Sequence, residues 1–145
     1  MKISIACDHG GFELKENLKK WLIENNYEVA DFGTNSLDSC DYPDFGRLAA
    51  EAVRDGIADM GIVICTTGIG MSIVANKVKG IRCALVGNAD AASLTRRHND
   101  SNVLALGAKY TSFELAKEIT NVWLTTPFEG GRHQRRVDKI MDIEK

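Results

Sequence analysis

Residues 60–80 read MGIVICTTGIGMSIVANKVKG, a short apolar run followed by a turn of threonines and glycines and then a second apolar stretch. The run at 60–65 is typical of a strand that is buried on both faces, and it ends on Cys65. After the turn we predict a helix from about Met71 to Lys79, because Gly80 supplies a stop signal. A strand, a tight turn and a helix in this order are the repeating unit of parallel α/β sheets.

The same alternation continues on both sides of this segment. We predict five strands, at residues 3–7, 27–33, 60–65, 81–87 and 102–107. Helical patterns lie between and after them, including a short helix at 89–98 and a longer one at 111–126. Short connections between alternating strands and helices favour a parallel sheet covered on both faces, with right-handed crossovers. We therefore expect one α/β domain over residues 1–145, with a charged helical tail from 129 to 145.

Two predicted helices have apolar faces that should pack on the sheet. On the first helix the expected inner residues are Phe12, Leu14, Leu18, Trp21 and Leu22, and the expected outer ones are Lys15, Glu16, Lys19 and Lys20. The second helix should begin near Pro43, whose fixed φ suits a first helical turn. Its expected inner residues are Phe45, Leu48, Ala49, Ala52 and Val53.

Composition and charge exclude several classes of protein. The formal net charge is −2, so nothing suggests a basic surface for nucleic acid, and no apolar stretch is long enough to span a bilayer. The four cysteines at 7, 40, 65 and 83 have neither CxxC spacing nor companion histidines at zinc intervals. We expect reduced thiols, a cytoplasmic protein and no metal site.

In open parallel sheets, ligands bind beyond the carboxyl ends of the strands. This rule nominates five places: Asp8–His9, Gly33–Thr34, residues 65–70, Gly87–Asn88 and residues 107–109. Glycine and aspartate also make good turns without any further role. For Gly33, Gly87 and Gly107 we adopt that simpler interpretation.

Cys65 has a stronger case than the strand cysteines Cys7 and Cys83, which we interpret as small core residues. It ends a strand beside a glycine-rich turn that enters a helix, where backbone N–H groups and the helix dipole stabilise a thiolate. They equally stabilise an oxyanion or a phosphate, and the residues alone leave these roles open. The turn is neither a Walker loop nor a dinucleotide fingerprint, because the required spacings are absent.

Two histidines and two arginines complete the candidates. His9 and His98 lie in polar segments that we expect to face one strand edge, whereas His133 in the charged tail is interpreted as surface. Arg132 and Arg136 are four residues apart, so on a helix both guanidinium groups project from one face and suit a phosphate. A solvated basic face is an equal alternative from spacing alone.

Five segments together resemble ribose-5-phosphate isomerase of type B: ACDHGGFELK at 6–15, DYPDF at 41–45, CTTGIGMSIVANKVKGIR at 65–82, RRHNDSNVLALG at 96–107 and PFEGGRHQRRV at 127–137. The resemblance implies a Rossmann-like three-layer α/β/α sandwich that works without metal or organic cofactor. It also implies a homodimer or a tetramer of dimers, with active sites shared between subunits. The implied reaction interconverts ribose 5-phosphate and ribulose 5-phosphate.

The resemblance also implies roles for individual residues. Cys65 matches the base that moves a proton between C1 and C2 of the sugar, and His98 the histidine that assists ring opening, with Asp8 as a second candidate for that step. Asn99 matches a contact to a sugar hydroxyl, and with His98 it is expected to reach the pocket of the neighbouring subunit. Asp8 and His9 match substrate ligands after the first strand, and Arg132 and Arg136 match the phosphate ligands. The backbone amides of the turn match those that stabilise the enediolate oxygen, and the turn residues are Thr66, Thr67, Gly68, Ile69 and Gly70.

Two positions depart from the pattern of this family. Thr66 stands where many members have glycine, so the backbone there would be strained if the turn required a positive φ. Lys109 stands where many members have arginine, and a lysine contacts phosphate only as a point charge.

Three other functions remain open from the sequence. Related enzymes act on six-carbon substrates such as allose 6-phosphate or galactose 6-phosphate, and the pocket depth that decides this is not encoded locally. A non-catalytic sugar-phosphate sensor would need the phosphate ligands but not Cys65, Asp8 and His98. A thiol-redox enzyme is disfavoured because Cys65 has no resolving cysteine nearby in the sequence.

Overall fold

A computed structural model describes all 145 residues of the chain. The strands are β1 (Lys2–Cys7), β2 (Glu28–Asp31), β3 (Met60–Cys65), β4 (Cys83–Leu85) and β5 (Val103–Gly107). The helices are α1 (Phe12–Glu24), α2 (Tyr42–Arg54), α3 (Ile69–Asn76), α4 (Ala89–Asn99), α5 (Phe113–Thr125) and α6 (Arg132–Asp142), and a 3-10 turn (His9–Gly11) precedes α1. No helix is both long and apolar enough to cross a lipid bilayer.

The five strands form one sheet in the order β2-β1-β3-β5-β4, and every pairing is parallel. One apolar cluster joins α1, α4 and α5 to one face of the sheet around Ile5, Ile64 and Trp123. A second cluster joins α2 and α3 to the other face around Val63 and Met71. The predicted Rossmann-like three-layer sandwich with a helical tail is therefore confirmed.

The third helix differs from the prediction at both ends. It begins at Ile69 instead of Met71, because Gly68 adopts a left-handed conformation and the Thr67 hydroxyl accepts the Ile69 N–H at 3.3 Å. It ends at Asn76 instead of Lys79, because the Asn76 side chain turns to β4 and bonds both the N–H and the carbonyl of Cys83, at 2.8 and 3.0 Å. The fourth strand is also shorter than predicted, at three residues.

Lys15 was predicted on the solvent side of α1, and this is wrong. Its side chain is fully buried, and its ammonium group lies 3.0 Å from the Asp31 carboxylate and 2.6 Å from the Thr34 carbonyl. The long apolar stem of a lysine can run along a core while its charged end reaches a partner. Here that partner is at the end of β2, so the side chain ties α1 to the neighbouring strand.

Leu48 is the exception on the apolar face of α2. It is 44% exposed, whereas Ala49, Ala50 and Ala52 are buried. The helix therefore lies rotated from the predicted orientation, with small residues against the sheet. Small side chains allow a close approach of the helix to β1 and β3.

Candidate active site

Cys65 is the last residue of β3, and its thiol faces the side of the sheet that α2 and α3 cover. The side chain is almost fully buried, with 5% of the residue exposed. The Gly68 N–H donates to Sγ at 3.2 Å. The sulfur therefore accepts a backbone N–H at the N-terminus of α3.

Gly68 is the residue that allows the turn to form. Its φ is +78°, a conformation that favours glycine, and a Cβ there would lie 2.8 Å from the carbonyl carbon of Leu106. Thr66 stands where many family members have glycine, but its φ is not positive. Its β-branched side chain therefore does not strain the backbone. The departure at Thr66 therefore leaves the backbone of the turn intact.

The end of β5 holds this turn from the other side. Gly107 pairs with Cys65 in the sheet, the Ala108 N–H donates to the Cys65 carbonyl at 2.9 Å, and the Lys109 N–H donates to the Thr66 carbonyl at 2.9 Å. A Cβ on Gly107 would lie 2.6 Å from the carbonyl carbon of Thr67. Gly107 was interpreted as a simple turn residue, but its lack of a side chain is needed for this close approach.

Asp8 and His9 follow β1 at the same edge of the sheet. Asp8 is 6% exposed, and its Oδ1 accepts the Gly11 N–H at 3.0 Å. His9 Nδ1 accepts the Cys40 N–H at 3.2 Å. A neutral imidazole whose Nδ1 accepts a hydrogen bond carries its proton on Nε2, so His9 presents Nε2–H as a donor.

Asp8 and the turn after Cys65 meet at a cavity of about 400 Å³, whose lining does not include His9. Its lining residues are Asp8, Tyr42, Cys65, Thr66, Thr67, Ile69, Gly70 and Ile73. We call Asp8, Cys65 and residues 66–70 the turn site. Tyr42 was not among the predicted site residues, and its ring lies so close to Gly70 that a Cβ on Gly70 would be 2.7 Å from it. Its place in the DYPDF segment was the available signal.

Lys109 lines an adjoining cleft and not the cavity at Cys65. This cleft has a volume of about 470 Å³ and also contains Glu13 and Asn17. Thr66 lines both spaces and separates them. The Lys109 ammonium group lies 5.8 Å from the centroid of the Tyr110 ring.

The other predicted residues lie at the opposite end of the sheet. Helix α4 starts after the carboxyl end of β4 and returns to the amino end of β5, so His98 and Asn99 precede Val103. Cys65 pairs with Gly107, which is about 13 Å further along β5 at ~3.3 Å per residue. The expectation that His9 and His98 face one strand edge is therefore wrong within a single chain.

Helix α6 packs against α4 through His133, which stacks on His98, and Arg132 and Arg136 lie on the same helix as His133. Both guanidinium-bearing residues, Arg132 and Arg136, are exposed. We call His98, Asn99, Arg132 and Arg136 the tail site. The candidate residues thus form two groups, each incomplete for the reaction that the resemblance implies.

His133 was interpreted as surface, and this too is wrong. It is 8% exposed, and its ring stacks on that of His98 with centroids 4.3 Å apart and planes 14° from parallel. His133 and Val137 are the two buried residues of α6, an i, i+4 stripe that the sequence could have revealed. Burial, together with the neighbouring His98, Arg132 and Arg136, lowers the pKa of His133, although Glu129 acts in the opposite direction.

One cluster has the residue types of a metal site. Ligand atoms of His98, Glu129 and His133 lie within 4.8 Å of one another. However, the two imidazole rings stack face to face instead of directing their nitrogens to one point, and Glu129 already pairs with Arg97 at 3.4 Å. With Arg132 and Arg136 beside it, the cluster suits an anion better than a divalent cation.

The other strand cysteines have surroundings unlike those of a nucleophile. Burial raises the pKa of Cys7 to about 12, although Lys15 partly offsets it. Burial also raises the pKa of Cys83 to about 12. All four cysteines are free thiols.

The chain is similar to known proteins over nearly its whole length. The model of the Ribose/Galactose Isomerase family matches residues 3–140. Ribose-5-phosphate isomerase B of Escherichia coli is 48% identical over 144 residues, which cover 99% of this chain and 97% of that protein. A structure of ribose-5-phosphate isomerase B from Clostridium thermocellum superposes with a TM-score of 0.98 at 53% identity, covering 99% of this chain and 97% of that one.

A further solved structure, ribose-5-phosphate isomerase B from Mycoplasma genitalium, contains bound ribulose 5-phosphate. It has a TM-score of 0.94 and 43% identity, and the match covers 99% of this chain and 95% of that one.

Proposed function

Since the chain belongs to the ribose/galactose isomerase family, we propose that it interconverts ribose 5-phosphate and ribulose 5-phosphate. The relatives named for this activity match it along nearly the full chain, and one binds the ketose product. The chain is thus an aldose–ketose isomerase, and the single observation that carries the mechanism is the buried Cys65 thiol bonded to the Gly68 N–H. Four free thiols support a reducing, cytoplasmic location.

The proton transfer uses the turn site. The Cys65 thiolate removes the proton from C2 of the open-chain aldose, and the electron pair forms a C1–C2 double bond while negative charge passes to O1. The N–H groups at the start of α3 stabilise that oxygen. The thiol then returns its proton to C1, and the proton of O2 moves to O1 as the C2 ketone forms. Neither step requires a metal ion or an organic cofactor.

Ring opening and phosphate binding use the tail site. His98 assists opening of the furanose ring and Asn99 holds a sugar hydroxyl. Arg132 and Arg136 hold the phosphate, with their guanidinium groups suited to its oxygens. Binding energy from this unreacting group orients C1 and C2 at the thiol. Lys109, in its separate cleft, contributes a more distant positive charge.

A homodimer joins the two sites. The turn site and the tail site lie at opposite ends of the sheet, so one chain alone cannot apply both to one sugar. A two-fold axis that sets the tail site of one chain over the turn site of its partner completes two active sites at once. The apolar side chains of Ile69 within the turn site and of Ile73 and Leu85 beside it are 42–55% exposed, as expected of a surface that a partner covers.

A substrate panel tests the proposed function. We expect the purified protein to convert ribose 5-phosphate with a higher kcat/KM than allose 6-phosphate or galactose 6-phosphate, and to keep full activity in EDTA. A higher kcat/KM with a six-carbon substrate would show that the chain is an isomerase of six-carbon sugar phosphates. Loss of activity in EDTA would contradict the metal-free mechanism. Binding of these sugars without any turnover would indicate a sensor.

A further inference from the structure

Helix α4 ends in an unusual way directly after the tail-site residues. Its C-cap, Asp100, has a φ of +47°, one of two non-glycine residues with positive φ. Left-handed conformations are unfavourable for residues with a Cβ, so surrounding contacts must hold Asp100 in place. The direction in which His98 and Asn99 project depends on this last turn.

Arg96 makes the first set of these contacts. Its Nη1 donates to the Asp100 carboxylate at 2.8 Å and to the Ser101 carbonyl at 2.6 Å. Its Nε donates to the Thr126 carbonyl at 3.3 Å. Thr126 begins the connection from α5 to α6, so one guanidinium group joins the end of α4 to the segment that leads to Arg132. The side chain is only 14% exposed.

Arg82 makes the second set from the opposite side. Its Nε donates to the Asn99 carbonyl at 3.0 Å, and its Nη2 donates to the Asp100 carbonyl at 2.7 Å. Its Nη1 lies 3.3 Å from the sulfur of Met141, on α6. The end of α4 is therefore joined to α6 through Arg82 and Met141, and to the segment that leads to α6 through Arg96 and Thr126.

We propose that Arg96 and Asp100 are positioning residues that hold the end of α4 against the segment that leads from α5 to α6. This inference rests on the proposed function, in which His98 and Asn99 act on the sugar while the arginines of α6 hold its phosphate. The two groups sit on different helices, and their spacing must match the length of one substrate. A displacement of about 1 Å in such an arrangement can cost about 100-fold in rate.

The test uses Arg96→Lys and Asp100→Asn, singly and together. Lysine keeps the charge but cannot reach three acceptors at once, and asparagine tolerates the left-handed conformation while losing the charge. The matched control is Arg47→Lys, which alters another i, i+4 pair, Arg47 with Glu51, on the exposed side of α2. We measure kcat/KM for ribose 5-phosphate, competitive inhibition by inorganic phosphate, and amide hydrogen exchange of residues 97–101.

We expect kcat/KM to fall about 10-fold or more in either variant, while the phosphate inhibition constant changes less than about 2-fold. The loss in the double variant should be smaller than the sum of the two single losses, because both substitutions weaken the ion pair between Arg96 and Asp100. Exchange of residues 97–101 should accelerate. If phosphate inhibition weakens in parallel with kcat/KM, the residues have a general structural role and the proposal is overturned. Values of kcat/KM equal to those of Arg47→Lys would also overturn it.

The exchange measurement separates this proposal from the proposed function. If the wild-type protein converts no sugar phosphate, the proposed function fails and exchange alone decides the role of the contact. Unchanged exchange of residues 97–101 in Arg96→Lys would then overturn the positioning role, and faster exchange confined to those residues would support it.

Discussion

The main chain of Gly107 lies directly against the carbonyl group of Thr67, and a Cβ atom on Gly107 would be 2.6 Å from the carbonyl carbon. This contact joins the end of β5 to the turn that follows Cys65. Two hydrogen bonds, from the Ala108 and Lys109 N–H groups to the Cys65 and Thr66 carbonyls, continue the same junction. The shape of the turn is therefore set by its neighbour in the sheet as well as by its own residues.

Gly107→Ala should disturb this junction, whereas Gly87→Ala should not. Neither glycine has a positive φ, and a Cβ on Gly87 would meet nothing within 4 Å. We expect Gly107→Ala to lower the free energy of unfolding by about 2 kcal/mol, as overpacking typically does, and to reduce kcat. Urea denaturation and steady-state kinetics on both variants measure the difference. Equal effects would mean that the turn adapts to the added methyl group.

Cys65→Ala should abolish turnover while substrate still binds, because the residue supplies the base and not the phosphate contacts. We expect kcat to fall about 1,000-fold or more, within the range for loss of a proton-transfer group. Cys83→Ala is the matched control, since its thiol lies in β4, away from the turn site. Kinetics and calorimetric binding of ribose 5-phosphate provide the measurements. A kcat near that of the wild type would contradict the assignment of Cys65 as the base.

The sequence predicts the fold well because its signals are local. Alternating apolar runs and helical patterns gave five strands in order, and Pro43 marked the start of α2. The misplaced Lys15 shows where this reasoning ends. The helical pattern places Lys15 on the polar side of α1. Its buried ammonium group is satisfied by Asp31 and by the Thr34 carbonyl, which are distant in the sequence.

Less of the candidate site than of the fold could be predicted from the sequence. The turn site is contiguous apart from Asp8, so the strand-end rule finds it. His98 was expected at the same strand edge as His9, but it lies at the end of a helix that returns to the amino edge of the sheet. Its stacking on His133 joins residues 35 positions apart on two helices, which no local pattern encodes. Gly87 and Gly107 look alike in sequence, and only the packing of β5 distinguishes them.

Acidification should destabilise the contact between α4 and α6 through His133. Its folded-state pKa lies below the ordinary value of 6.5, because burial and then His98, Arg132 and Arg136 disfavour its charged form despite Glu129. The folded protein therefore binds fewer protons than the unfolded chain, and its free energy of unfolding falls as the pH drops through 6.5.

His133→Phe keeps an aromatic ring beside His98 but cannot be protonated. We expect Tm to decrease less between pH 7.5 and pH 5.5 in this variant than in the wild type, as thermal unfolding by circular dichroism would measure. His98 and Glu129 are present in both proteins, so the difference reports His133. Identical pH dependence in the two proteins would contradict the role assigned to its titration.

Mixing two inactive variants should restore activity if the active sites are shared. Cys65→Ala damages the turn site and His98→Asn the tail site, so each homodimer contains only defective sites. In a mixed dimer one site combines both damaged halves, but the other combines the intact turn site of one chain with the intact tail site of its partner. Random reassortment makes half of the dimers mixed, so we expect about a quarter of wild-type activity.

The matched control mixes Cys65→Ala with Asp8→Asn, two variants that both damage the turn site. No mixed dimer of this pair contains an intact turn site, so activity should stay at the background of the separate proteins. The measurement is ribose 5-phosphate turnover after the variants are unfolded and refolded together. Recovered activity in the control mixture would contradict shared active sites. So would a lack of recovered activity in the first mixture when mixed dimers are present, because complementation requires the turn site and the tail site to come from different chains.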